Sequence, residues 1–138
     1  NGAVQLFNDN NVRLATTSTG VDVTGDVAVG DDITVAGRAS GHVTTDNDGS
    51  FDLAVGNDFT CTTSGNTEIT FSNAKAGQSG NIKFVNASDH TITANALVAI
   101  NADVLTTISA SGTYHLAYYV TADSGNDTIL VSASAALT

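Results

Sequence analysis

Apolar residues recur at every second position over short runs, and glycine or Asx clusters end each run. The pattern is plainest from Thr16 to Gly37. Val21, Val23, Val27, Val29, Ile33 and Val35 alternate with polar residues, and Gly20, Gly25, Gly30 and Gly37 punctuate them. Period-two alternation in pieces of this length predicts short strands joined by tight turns. Each such strand has one thin apolar face that it cannot bury alone, so the segment calls for stacked or identical neighbours.

The flanking chain reads the same way. Val4-Gln5-Leu6-Phe7 and Val12-Arg13-Leu14-Ala15 alternate around Asn8-Asp9-Asn10-Asn11, which predicts a hairpin. Residues 38–50 read as two turns around His42-Val43-Thr44-Thr45, a boundary zone. From Phe51 the predicted strands lengthen: Phe51–Val55, Asp58–Thr62, Thr67–Ser72, Asn81–Asn86, Thr91–Thr93 and Leu97–Ile100. Val104–Ile108 follows, then Thr113–Thr121 and, after the turn 123–127, Thr128–Ser132. Ala94–Asp103 is the one candidate for a helical turn. The expected fold is all-β: a short-strand neck over 1–50, built as a β-hairpin or β-helix-like segment, and an antiparallel β-sandwich of jelly-roll type over 51–138. Its expected core includes Phe51, Phe59, Ile69, Phe71, Ile82, Phe84, Ile92, Leu105, Leu116, Tyr118 and Ile129.

Charge then narrows the function. Four basic residues face 14 acidic ones, for a net charge of -10. Phosphate binding needs clustered Lys and Arg, so nucleic acid and anionic membrane surfaces are disfavoured partners. No apolar run is long enough to span a bilayer. The chain opens at Asn1 in mid-pattern without Met, which points to a processed product or a piece of a longer polypeptide. A single cysteine, Cys61, excludes an internal disulfide and a cysteine metal site, and its alternating context makes it a small core residue.

Candidate chemistry is sparse. Asp46-Asn47-Asp48-Gly49 resembles the start of a calcium loop, but the glycine comes one place early and no Glu follows in register, so Asx turns are the better reading. His42, His90 and His115 lack metal-ligand spacing. No phosphate loop, dinucleotide fingerprint or nucleophile motif occurs, and neither enzymatic activity nor a cofactor or metal is expected. Asn86-Ala87-Ser88 and Asn126-Asp127-Thr128 match the glycosylation pattern. Tyr114, Tyr118 and Tyr119 form the one aromatic cluster. Tyr114 and Tyr118 share a strand face, while Tyr119 and His115 lie on the other. These four are the candidate receptor or subunit contacts, set against simple core packing.

Residues 2–25, from Gly2-Ala3-Val4-Gln5-Leu6-Phe7 through Leu14-Ala15-Thr16-Thr17 to Gly20-Val21-Asp22-Val23-Thr24-Gly25, resemble a segment of the tail fibres and other structural fibres of tailed bacteriophages, marine ones especially. The likeness runs to about residue 37, with Phe7 where a tyrosine is usual and Arg13 where a lysine is usual. Asn66–Tyr119 is more loosely similar to the distal domains of such fibres. The resemblance implies a homotrimer with a β neck and a distal β-sandwich head, located in the virion and contacting other virion proteins or a host-surface glycan or protein. It carries over no catalytic residue. Two other readings stand beside it: a bacterial surface or filament protein that assembles by strand pairing, and a tailspike-like polysaccharide depolymerase.

Overall fold

A computed structural model describes residues 2–126 and 128–137. The chain forms two compact units, 1–39 and 40–138. The boundary thus falls ahead of position 50, because His42-Val43-Thr44-Thr45 supplies a strand to the second unit.

The first unit is a three-stranded antiparallel meander of β1 (Gln5–Asn8), β2 (Asn11–Thr16) and β3 (Val21–Val23). Asp9 and Asn10 make the predicted hairpin turn with φ of 49° and 60°. Both central residues of a type I′ turn need positive φ, and Asp and Asn tolerate it. Of the two neck forms expected, the hairpin is the one present. Leu6, Leu14 and Val23 face one another across the three strands, and Thr16 opposes Val21. Thr16 also donates its N–H to the Val4 carbonyl. Alternation therefore places Val4, Leu6, Leu14, Val21 and Val23 on one face. Phe7 opposes Val12, which leaves Arg13 as an extra residue in β2. This bulge reverses the phase and puts the Phe7–Val12 pair on the other face. None of residues 2–39 is buried. The strands expected around Val27–Val29 and Ile33–Val35 do not form. These runs pair with neither open edge of the β1-β2-β3 sheet, and an unpaired three-residue alternating run has nothing to hold it extended.

The second unit has two facing sheets. One has six strands in the order β10-β12-β11-β8-β6-β4 and the other three, in the order β5-β7-β9. The chain passes from one sheet to the other in turn. It runs through β4 (Val43–Thr45), β5 (Ser50–Asp52), β6 (Asp58–Thr63), β7 (Thr67–Ser72), β8 (Ser79–Asn86) and β9 (Ile92–Ala94). Neighbours β4, β6 and β8 are parallel, as are β5, β7 and β9. Each strand of one sheet serves as the crossover for the other, so the first part of the unit is three wound coils. The antiparallel pairing expected of a jelly roll holds only at the far side. There β11 (Gly112–Val120) pairs with β8 and with β12 (Ile129–Ala133), and β10 (Val98–Ala99) joins β12 in parallel.

The core lies between the sheets. Inward rows run Phe59–Ile82–Leu116 and Cys61–Phe84–Tyr114 across the larger sheet. Phe51, Ile69, Phe71 and Ile92 meet them from the smaller one. Phe51 packs on Phe59 and Phe71 on Tyr118, with ring centroids 5.2 and 5.1 Å apart. Of the expected core, Leu105 is only half-buried, and Ile108 is buried in its place.

The predicted helical turn at 94–103 is displaced. Residues 98–99 are strand, and the helix α1 is Ala102–Ile108. The Asn101 side chain caps it by accepting the Asp103 N–H at 2.7 Å, and Asp103 sits favourably in the first turn. Ile108 anchors its inner face. The Thr106, Thr107 and Ser109 hydroxyls donate to carbonyls four residues back, so β-prone side chains are accommodated inside a short helix.

Candidate functional site

The four aromatic and histidine candidates separate. Tyr114 and Tyr118 are 1% and 3% exposed and belong to the core. The alternation that pairs them also aims them at the smaller sheet. The Tyr114 hydroxyl lies 2.9 Å from both the Thr107 and Ala110 carbonyls and ties down the end of α1. Tyr119 is 49% exposed on the outer face, opposite the exposed Leu130. His115 is exposed there too.

His115 belongs to a polar row that crosses the outer face. Its Nε2 lies 2.9 Å from Asn81 Oδ1. Asn81 in turn donates its backbone N–H and its Nδ2 to Asp58 Oδ1, at 3.0 and 3.1 Å. With the amide nitrogen committed to the carboxylate, the amide oxygen can only accept, so His115 Nε2 carries the proton.

This row borders an open cleft of about 730 Å³ at the end of the sheet where β4, β6 and β8 begin. The 53–57 loop forms one wall. Tyr118 donates its hydroxyl to the Asn57 carbonyl at 2.8 Å, and Gln78 Nε2 donates to the Leu53 carbonyl at 3.1 Å. Gly80 lies beneath this wall. A Cβ there would stand 1.7 Å from the Asn57 oxygen and 2.7 Å from the Tyr118 hydroxyl, so only glycine admits the loop this close. Burial first, and the Asp58 charge second, push the Tyr118 hydroxyl up to about 12. It stays protonated and donating at physiological pH. Behind Gly56 lies Thr44 Oγ1, the one buried side-chain polar atom among the described residues that has no hydrogen-bond partner.

The 46–52 segment makes nested Asx turns. Asp46 Oδ1 accepts from the Asp48 N–H at 3.3 Å, and Asp48 Oδ1 from the Ser50 N–H at 2.8 Å. Asn47 Oδ1 reaches across to the Thr62 N–H at 2.8 Å. Gly49 takes a φ of 85° against Thr67 and Glu68. The bond from Ser50 holds the Asp48 carboxyl below its usual range, while burial and Asp48 hold Asp46 above it. The carboxylates are spent on the corner between β4 and β5. Among the described residues, no three His, Cys, Asp or Glu side chains converge as a metal site.

Asn86, which heads one glycosylation-pattern triplet, is a structural residue of the second unit. It is 1% exposed, so the folded chain does not present it for glycosylation. Its Nδ2 donates to the His90 and Ile108 carbonyls at 2.8 and 3.0 Å, and its Oδ1 accepts from the His90 N–H at 3.0 Å. The second such triplet includes Asp127, outside the described residues. Comparison with protein-family models, curated proteins and solved structures finds no match to this chain.

Proposed function

We propose that this protein is a structural module of a tailed-bacteriophage fibre or spike that assembles as a homotrimer on the virion and contributes to host-surface attachment. One observation carries the assembly: the uncovered apolar face of the first unit. Val4, Leu6 and Val21 are 63%, 59% and 60% exposed, on a sheet of three short strands in which nothing is buried. Such a sheet is marginal alone, and identical faces around an axis cover one another. The face has no charged side chain, so the chain's net negative charge is held away from the contact. Full burial of a Val or Leu stabilises by about 1.5–3 kcal/mol. Five half-covered side chains then supply about 4–7 kcal/mol per copy. A Leu14→Asp variant tests this by sedimentation velocity. The expected result is loss of the oligomer with the second unit's circular dichroism unchanged. An oligomer that survives the substitution would refute the role of this face.

The filament reading has one observation of its own. β4 and β5 end their sheets at the first coil, leaving two strand edges open to further pairing. It predicts open-ended polymers in place of a closed species.

A further inference from the structure

We infer that the cleft beside Asp58 is a binding site for neutral saccharides. This deepens the attachment part of the proposed function and does not depend on the trimer. Three observations combine. The first is the balance of the lining. Asp58 and Asn81 present acceptors and an amide, and the exposed Val55 of the 53–57 loop adds an apolar side chain to the same lining. A sugar ring has the same division, with hydroxyls at its edge and C–H groups on its face.

The second is charge. Asp58 is the one acidic residue lining the cleft, and no Lys or Arg lines it. A phosphate, sulfate or carboxylate ligand would meet the Asp58 charge, with the His42 imidazole as the one basic side chain in the lining, and a lone carboxylate is a poor cage for a divalent cation. Hydroxyl donors suit it: a charge-assisted O–H···O⁻ bond is the strong interaction such a site can offer a neutral ligand.

The third is preorganisation. Asn81 holds Asp58 Oδ1 through two bonds, so the carboxylate is fixed and its Oδ2 is left beside Gly41, where no side chain intervenes. Tyr118 and Gln78 hold the 53–57 wall. A ligand binding here does not have to order the loop, which lowers the cost of association.

The test uses the intact chain, ¹⁵N-labelled, titrated with a panel of neutral monosaccharides and their β-linked and α-linked disaccharides. Sialic acid and glucose 6-phosphate are the anionic controls. The expected result is saturable shifts of the Gly56, Gly80 and Asn81 amides with at least one neutral sugar. Asp58→Asn keeps an acceptor for Asn81 but removes the charge. It is expected to weaken that binding at least about tenfold at unchanged melting temperature. Asn81→Ala, which releases the carboxylate, is expected to weaken it too. No shift with any neutral sugar, preferential binding of the anionic controls, or binding untouched by both substitutions would each overturn the inference. Native mass is measured on the same samples, so a trimer that binds no sugar overturns this site alone.

Discussion

Asn86→Ala is expected to be the most damaging polar substitution in the second unit. The side chain closes the space between the end of β8, the 87–91 loop and the last turn of α1. It does so with three bonds of 3.0 Å or shorter, to His90 N–H, His90 carbonyl and Ile108 carbonyl. Thr63 Oγ1 and the Ser88 N–H approach its Oδ1 at 3.4 Å. Each bond lost costs about 1 kcal/mol net, and a buried carbonyl left unpaired costs about 1–3 kcal/mol more. The Ile108 bond is fully buried, so this second cost applies there. The sum is about 4–6 kcal/mol, a large part of a domain's stability. For a unit of this size that lowers the melting temperature by roughly 20–30 °C. Thermal and urea unfolding followed by circular dichroism measure it. Asn86→Asp should also destabilise, because a carboxylate cannot donate to the two carbonyls. A loss below about 1 kcal/mol in Asn86→Ala would mean that water reaches these groups, and would refute the reading of Asn86 as a sealed polar hub.

Thr44→Val replaces an unpaired buried hydroxyl with a methyl of similar shape and is expected to raise stability by about 1 kcal/mol; a loss in urea unfolding would show that the hydroxyl has a partner. Burial first, then the charge of Asp46, pushes the Cys61 thiol up to about 11. With 1% of its surface exposed, it should resist a thiol reagent at mildly alkaline pH until the chain unfolds, and rapid labelling of the native protein would contradict this. The Asn73 side chain, and then the Ala54 N–H, hold the Asp52 carboxyl below its usual range. A depressed carboxylate adds stability that is present above its unfolded pKa and lost as pH falls through the folded one. Asp52→Asn should therefore be less stable than the parent at neutral pH, with the gap closing as pH falls below the ordinary carboxylate range; a gap that is constant with pH would refute the assignment.

Strand positions were legible wherever one face of a strand meets the core. Thr67–Ser72 is strand over the predicted residues, and the Asp9-Asn10 turn lies where residue types that tolerate positive φ occur in sequence. What alternation does not encode is the partner. It marks one buried face per strand, and the wound parallel coils of β4–β9 satisfy that pattern as well as hairpins would. The same limit applies to Val27–Val35, where the period is present and no strand pairing forms. Helix α1 was hidden because Val104, Thr106, Thr107 and Ile108 are β-prone; its signal was the Asn101 cap two residues before Asp103. Tyr114 and Tyr118 were paired correctly on one face, but period two alone does not say which face is wet. The cleft at Asp58 had no signature, since Asp58, Asn81 and Gly80 meet only through the parallel register of β6 and β8.

Native mass by light scattering on the purified chain, over a wide concentration range, tests the central claim most directly. The expected result is one discrete species at three times the 13.9 kDa chain mass, lost on Leu14→Asp. A 13.9 kDa species at all concentrations would contradict it: the apolar face of Val4, Leu6, Leu14, Val21 and Val23 would then be stable in water, with no second copy covering it.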